Sequence, residues 1–113
     1  MPAALEPAYV NASQSCRRQL PRSKSLSLGT RNEYLSTVRK WEHWGVGAPL
    51  EKLQQKDIRE FLDWVHERAV AQEGTNPGRT ANKARDHLRA VISWAWEQEL
   101  IEVLPRMPNR LPY

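Results

Sequence analysis

At 113 residues, with 40% hydrophobic and 27% charged side chains, the chain is long enough for one small domain and too short for two of ordinary size. Its single cysteine, Cys16, excludes an internal disulfide and any zinc site built from several thiolates, and no run approaches the roughly 18 apolar residues of a membrane span. The formal net charge of +4 is uneven: seven basic against two acidic residues over 1–40, four against seven over 41–73, and six against four over 74–113. A protein that turns its first and third segments toward a polyanion and its second toward water would show this pattern.

Residues 1–25 mix Pro, Ala, Ser and Gln with a basic cluster at Arg17, Arg18, Arg22 and Lys24, without a sustained helical or strand period. They read as a flexible basic arm that either touches a nucleic-acid backbone or is an ordinary soluble terminus. The stretch lacks the apolar centre of a secretory signal, which points to a cytoplasmic protein.

The first predicted helix starts at Ser27, a good cap, with Thr30 and Glu33 forming a competing capping pattern one turn later, and Gly45 ends it. Tyr34, Val38 and Trp41 form its core stripe, flanked by Leu35 and Trp44. Asn32, Ser36, Arg39 and His43 occupy the opposite face at steps of four, three and four residues. Such a row can read base edges and phosphates, or simply sit in water.

A loop over 46–53 leads to the second predicted helix, Gln55 to about Gln72. Its apolar face is Ile58, Phe61, Leu62, Val65 and Ala69, and Leu53 and Ile58 stand at staple positions around a Gln54 cap. Asp57, Glu60, Asp63 and Glu67 fill its other faces, so this helix is expected to be structural and to avoid phosphates.

Gly74 breaks the second helix, and Asn76-Pro77 starts the third, since Asn caps free N–H groups and Pro is tolerated at the first helical position. Ala81, Ala84, Leu88, Val91, Ile92 and Ala95 lie within one arc of about 100°, the width of a buried face. Arg79, Lys83 and Asp86 point away from it, with Thr80, Asn82, His87 and Arg89 on the flanks. The basic character is therefore concentrated near the helix start. Beyond Trp96, residues 100–104 are expected to form a short closing helix or turn, ended by Pro105, Pro108 and Pro112.

No catalytic set can be assembled from these residues. His43, His66 and His87 fall on three different predicted helices without metal-ligand pairing, Cys16 lacks a context that would activate it, and no glycine-rich phosphate loop is present. The expectation is an all-α domain without metal or cofactor. It serves either as a DNA-binding module or as a helical protein-protein interaction module of a regulator; only the first predicts salt-sensitive DNA affinity.

Several ordered segments resemble the N-terminal core-binding, SAM-like domain of tyrosine recombinases, or phage integrases. Ser27-Leu-Gly-Thr30 with Tyr34 and Trp41 is similar to the family's opening. Pro49 to Leu53 followed by Asp57-Ile-Arg-Glu-Phe-Leu62 is similar to its second-helix signature, and Thr80-Ala-Asn-Lys83 to the start of its third. Trp94-Ala-Trp-Glu-Gln-Glu-Leu-Ile101 resembles its closing segment. Two positions depart from the pattern. Glu99 replaces a common Gly, where a side chain at a left-handed cap costs roughly 1 kcal/mol, and Leu104-Pro105 replaces Asn-Pro.

The resemblance implies a small four-helix bundle, three long helices plus a short closing one, over residues 26–105. It would follow a disordered arm over 1–25 and precede a linker over 106–113 that leads toward a separate catalytic domain of the parent chain. In the family this bundle grips duplex DNA as one half of a clamp, beside other recombinase protomers, and the catalytic Arg, His and Tyr lie in the other domain. This chain would then bind without cutting. The implied DNA contacts are Ser27, Thr30, Asn32, Ser36 and Arg39 on the first long helix, and Arg79, Thr80, Lys83 and His87 on the third, with Asn82 on its flank.

Overall fold

The computed structural model describes residues 12–44, 53–74 and 76–109. It contains helices α1 (Ala12–Gln19), α2 (Leu28–Trp44), α3 (Gln55–Val70) and α4 (Pro77–Glu97), with a 3-10 turn at Leu20–Arg22 between α1 and α2 and no strand among the described residues. The three long predicted helices are α2, α3 and α4.

Helix α4 is the spine, packed against both α2 and α3, and α3 meets it with a regular apolar face. Ile58, Phe61, Leu62, Val65 and Ala69 recur at three- and four-residue steps, and all five are buried. At the entry of α3 the Gln54 N–H donates to Asp57 Oδ2 at 3.0 Å, which also puts a carboxylate near the positive end of the helix dipole. Leu53 packs partly buried against the core. Gly74, at φ +80, lies in the left-handed region that reverses the chain after the helix.

Helix α4 begins as its sequence suggests: Asn76 Oδ1 accepts the Arg79 N–H at 3.1 Å, and Pro77 fills the first turn. Its apolar stripe, Ala81, Ala84, Leu88, Val91, Ile92 and Ala95, is buried. Helix α2 is capped by Ser27, whose Oγ accepts the Thr30 N–H at 3.2 Å. Its residues Val38, Trp41 and Trp44 are buried, whereas Tyr34 is half-buried and meets Trp94 of α4 with ring centroids 6.4 Å apart. Phe61 is fully buried among three tryptophans, with centroids 5.1 Å from Trp41, 5.7 Å from Trp44 and 5.9 Å from Trp64.

The stretch read as a flexible arm contains a docked helix from Ala12 onward. Ala12, Cys16 and Leu20 stand at i, i+4 and i+8 and are 4%, 0% and 0% exposed. One apolar residue per turn from Ala12 through Leu20, in the 3-10 turn that follows α1, is too sparse to show as a periodic stripe, and an eight-residue helix is marginal alone. It exists because the core receives it. Burying Leu20 contributes about 1.5–3 kcal/mol. The half-exposed ion pair of Arg17 Nε with Glu42 Oε1, at 2.7 Å, adds under about 1 kcal/mol. Apolar burial therefore holds α1, while that pair and the 3.0 Å bond from Ser13 Oγ to Glu42 Oε2 fix its register on α2.

The closing helix does not form. Glu99 takes φ +63, its N–H donates to the Trp96 carbonyl at 3.1 Å, and the Leu100 N–H donates to the Ala95 carbonyl at 2.9 Å. Together these bonds make the left-handed Schellman cap, built here on a glutamate. After it the chain turns, burying Ile101 in a bend. The segment read as a linker is strapped down as far as Pro108: Gln55 Nε2 donates to the Met107 carbonyl at 3.2 Å and Arg85 Nε to the Pro108 carbonyl at 2.7 Å. The expected Gly45 stop and most of the 46–53 loop lie outside the described residues.

Two measurements check this packing. Cys16 should react with a thiol reagent only as fast as α1 opens, and at once in denaturant; immediate reaction of the native protein would mean that α1 is undocked. Glu99→Gly should stabilise the domain by about 1 kcal/mol in urea unfolding, because it removes the side-chain cost of the left-handed cap. No gain would show that Glu99 carries no such strain.

Candidate nucleic-acid interface

Packing α4 against both α2 and α3 sets the polar rows of α2 and α4 side by side. A groove of about 500 Å³ runs between them, lined by Asn32, Glu33, Ser36 and Lys40 from α2 and by Thr80, Lys83 and His87 from α4, with Phe61 of α3 at its floor. His87 Nε2 approaches Glu33 Oε2 at 4.0 Å across it. A second depression, of about 440 Å³, continues over α2, where Asn32, Ser36, Arg39, Lys40 and His43 are joined by Arg68 of α3. Lys40 and Arg68 also line a third, with Trp64 and Thr80. The three share residues and form one surface.

Most of the predicted site residues meet on this surface. Asn32, Ser36 and Arg39, with His43 of the same row, line it from α2, and Thr80, Lys83 and His87 line it from α4. Thr80, Lys83 and His87 follow i, i+3 and i+7 steps along one edge of the α4 core stripe. Ser27 and Thr30 stand at the α2 N-terminus, where the Ser27 hydroxyl donates to Thr30 Oγ1 at 2.9 Å, so both are engaged in the cap. Arg79 is exposed in the first turn of α4 and does not line the groove. Asn82 lies on the far flank, in a hollow shared with Arg59, Asp63 and Pro108. Being two residues beyond Thr80 turns it about 160° around the helix.

Two basic groups on this surface were absent from the sequence reading. Lys40 follows Asn32 and Ser36 at four-residue steps, so a strict i, i+4 reading of the first long helix finds it. Arg68 sits in the last turn of the acidic helix, where net charge conceals it. Its guanidinium carbon lies 4.6 Å from the Trp64 ring centroid, a cation–π contact of about 0.5–1 kcal/mol at an exposed site. Glu60, Asp63 and Glu67 fall about 80–140° around α3 from Arg68, on the side away from the groove.

The electrostatic result is a surface carrying Arg39, Lys40, Arg68 and Lys83, all exposed, against one lining carboxylate among the described residues, Glu33. Hydroxyl and amide groups are interleaved with the cations. This arrangement offers point charges and forked donors to phosphates, and short polar side chains to base edges or sugars. Among the described residues no cluster of His, Cys, Asp or Glu could hold a metal ion, and no helix is long and apolar enough to cross a membrane.

No curated protein and no solved structure matches the chain. The family described as phage integrase, N-terminal SAM-like domain, matches it over residues 17–99, from within α1 to the left-handed Glu99. That span takes in both polar rows and helix α3, and the chain belongs to this family.

Proposed function

We propose that this domain is a DNA-binding module of a site-specific tyrosine recombinase and grips duplex DNA at the recombination core site as one half of a clamp. The observation that carries this reading is the shared groove, in which α2 and α4 present Asn32, Ser36, Arg39, Lys40, Thr80, Lys83 and His87 together while the acidic side of α3 is turned away. Arg39, Lys40 and Lys83 neutralise phosphates, and the polar groups between them contact sugar or base edges. Ser27, Thr30 and Arg79, at the N-terminal ends of α2 and α4, extend the contact where helix ends favour anions. Asn82, on the opposite flank, takes no part.

Cutting and joining belong to a catalytic domain of the parent chain, and other recombinase protomers sit beside this one on DNA in the cytoplasm. A second reading, a helical protein-interaction module, draws on Trp96, Val103 and Leu104, which are 47%, 71% and 49% exposed. That reading gives no salt-dependent affinity for DNA.

Titration of duplex DNA at several salt concentrations tests the first reading. Lys83→Ala and Arg39→Ala should each weaken binding and reduce the magnitude of the slope of log K against log salt by about 0.9, the value for one lost phosphate contact. Lys56→Ala, which removes the same charge from α3 away from the groove, should leave the slope unchanged. Equal losses from all three would mark a general polycation effect and contradict a docked face.

A further inference from the structure

The acidic helix α3 carries three basic residues, Lys56, Arg59 and Arg68, and the fold sends them to different places. Arg59 donates to Gln55 Oε1 at 3.3 Å and lines the hollow on the far flank with Asp63 and Asn82. Arg68 instead lines the depression over α2 with Arg39, Lys40 and His43, and the adjoining one with Lys40 and Thr80. It is the α3 cation placed among the groove residues of both α2 and α4.

Arg68 is also held. Its guanidinium lies over Trp64, and Trp64 is half-buried, stacked on the fully buried Phe61 at 5.9 Å and flanked by His43 at 5.8 Å. A ring seated on the core thus restrains an otherwise long and mobile side chain. A planar guanidinium resting on an aromatic face keeps its N–H edge free for a phosphate and loses less freedom when one binds. Among the described residues, no carboxylate lines either depression beside Arg68.

We propose that Arg68 is a phosphate contact of the duplex-binding surface and that Trp64 is its positioning residue, so that the last turn of α3 joins α2 and α4 in holding DNA. This rests on the duplex-binding reading above and adds to it a third helix, the one whose overall charge argues against it. The surface then has two parts. Lys83 stands at the α2–α4 groove, and Arg68 meets the backbone beyond α2, where Arg39, Lys40 and His43 lie.

The test is a double-mutant cycle read by salt-dependent binding to a short random-sequence duplex, with native folding of each variant checked by circular dichroism and its urea midpoint. Arg68→Ala should weaken binding and lower the slope magnitude by about 0.9, as one lost phosphate contact does, while Arg59→Ala should match the unaltered protein. Trp64→Leu should weaken binding when Arg68 is present and have no further effect in the Arg68→Ala background. A purely structural role for Trp64 would weaken binding equally in both backgrounds. If Trp64→Leu does not fold, the comparison of Arg68→Ala with Arg59→Ala decides the matter.

Should Lys83→Ala flatten the slope while Arg68→Ala behaves like Arg59→Ala, the Arg68 contact is refuted and the duplex-binding reading stands. Salt-independent or absent binding by the unaltered protein would overturn both.

Discussion

Phe61 is the point on which the arrangement depends. It is fully buried, its ring meets those of Trp41, Trp44 and Trp64, and it forms the floor of the groove between α2 and α4. Tilted and stacked aromatic pairs at these separations add directional energy to the area they bury. The core therefore fixes both how α2 and α3 pack against α4 and how the outer rows of α2 and α4 are spaced. Polar residues at the surface inherit their geometry from an apolar cluster directly beneath them.

The long helices were legible because each carries a complete set of local signals. Asn76 and Pro77 start α4, Ser27 caps α2, and the apolar residues of α3 and α4 recur at helical steps and are buried. Helix α1 was not legible, since Ala12, Cys16 and Leu20 acquire meaning only through the core they enter. The end of α4 had a similar ambiguity: Leu100 and Ile101 look helical by composition, yet left-handed Glu99 turns the chain before another helical turn can form. A glycine at residue 99 would have announced that stop; a glutamate adopts the same conformation at a cost.

Much of the candidate surface could also be read in advance, because residues on one face of one helix follow from spacing alone. The row Asn32, Ser36, Arg39 and His43 is of this kind. Which faces of different helices come together depends on packing, and spacing along one helix does not show it. Asn82 neighbours Lys83 in sequence but lies on the other flank, and Arg68 belongs to an acidic helix but reaches the basic surface. Net charge per segment averages over faces, and that average concealed Arg68. Likewise, Arg17 belongs to the basic N-terminal cluster yet is paired with Glu42, so part of that cluster serves folding.

On the proposed reading, one face of this bundle meets duplex DNA and the acidic side of α3 does not. Amide chemical-shift mapping during titration with duplex DNA tests it most directly, because it reports position as well as affinity. The largest shifts should fall at residues 32–40 and 80–87, with little change over 56–63. Shifts centred on 56–63, or spread evenly over the bundle, would contradict that reading.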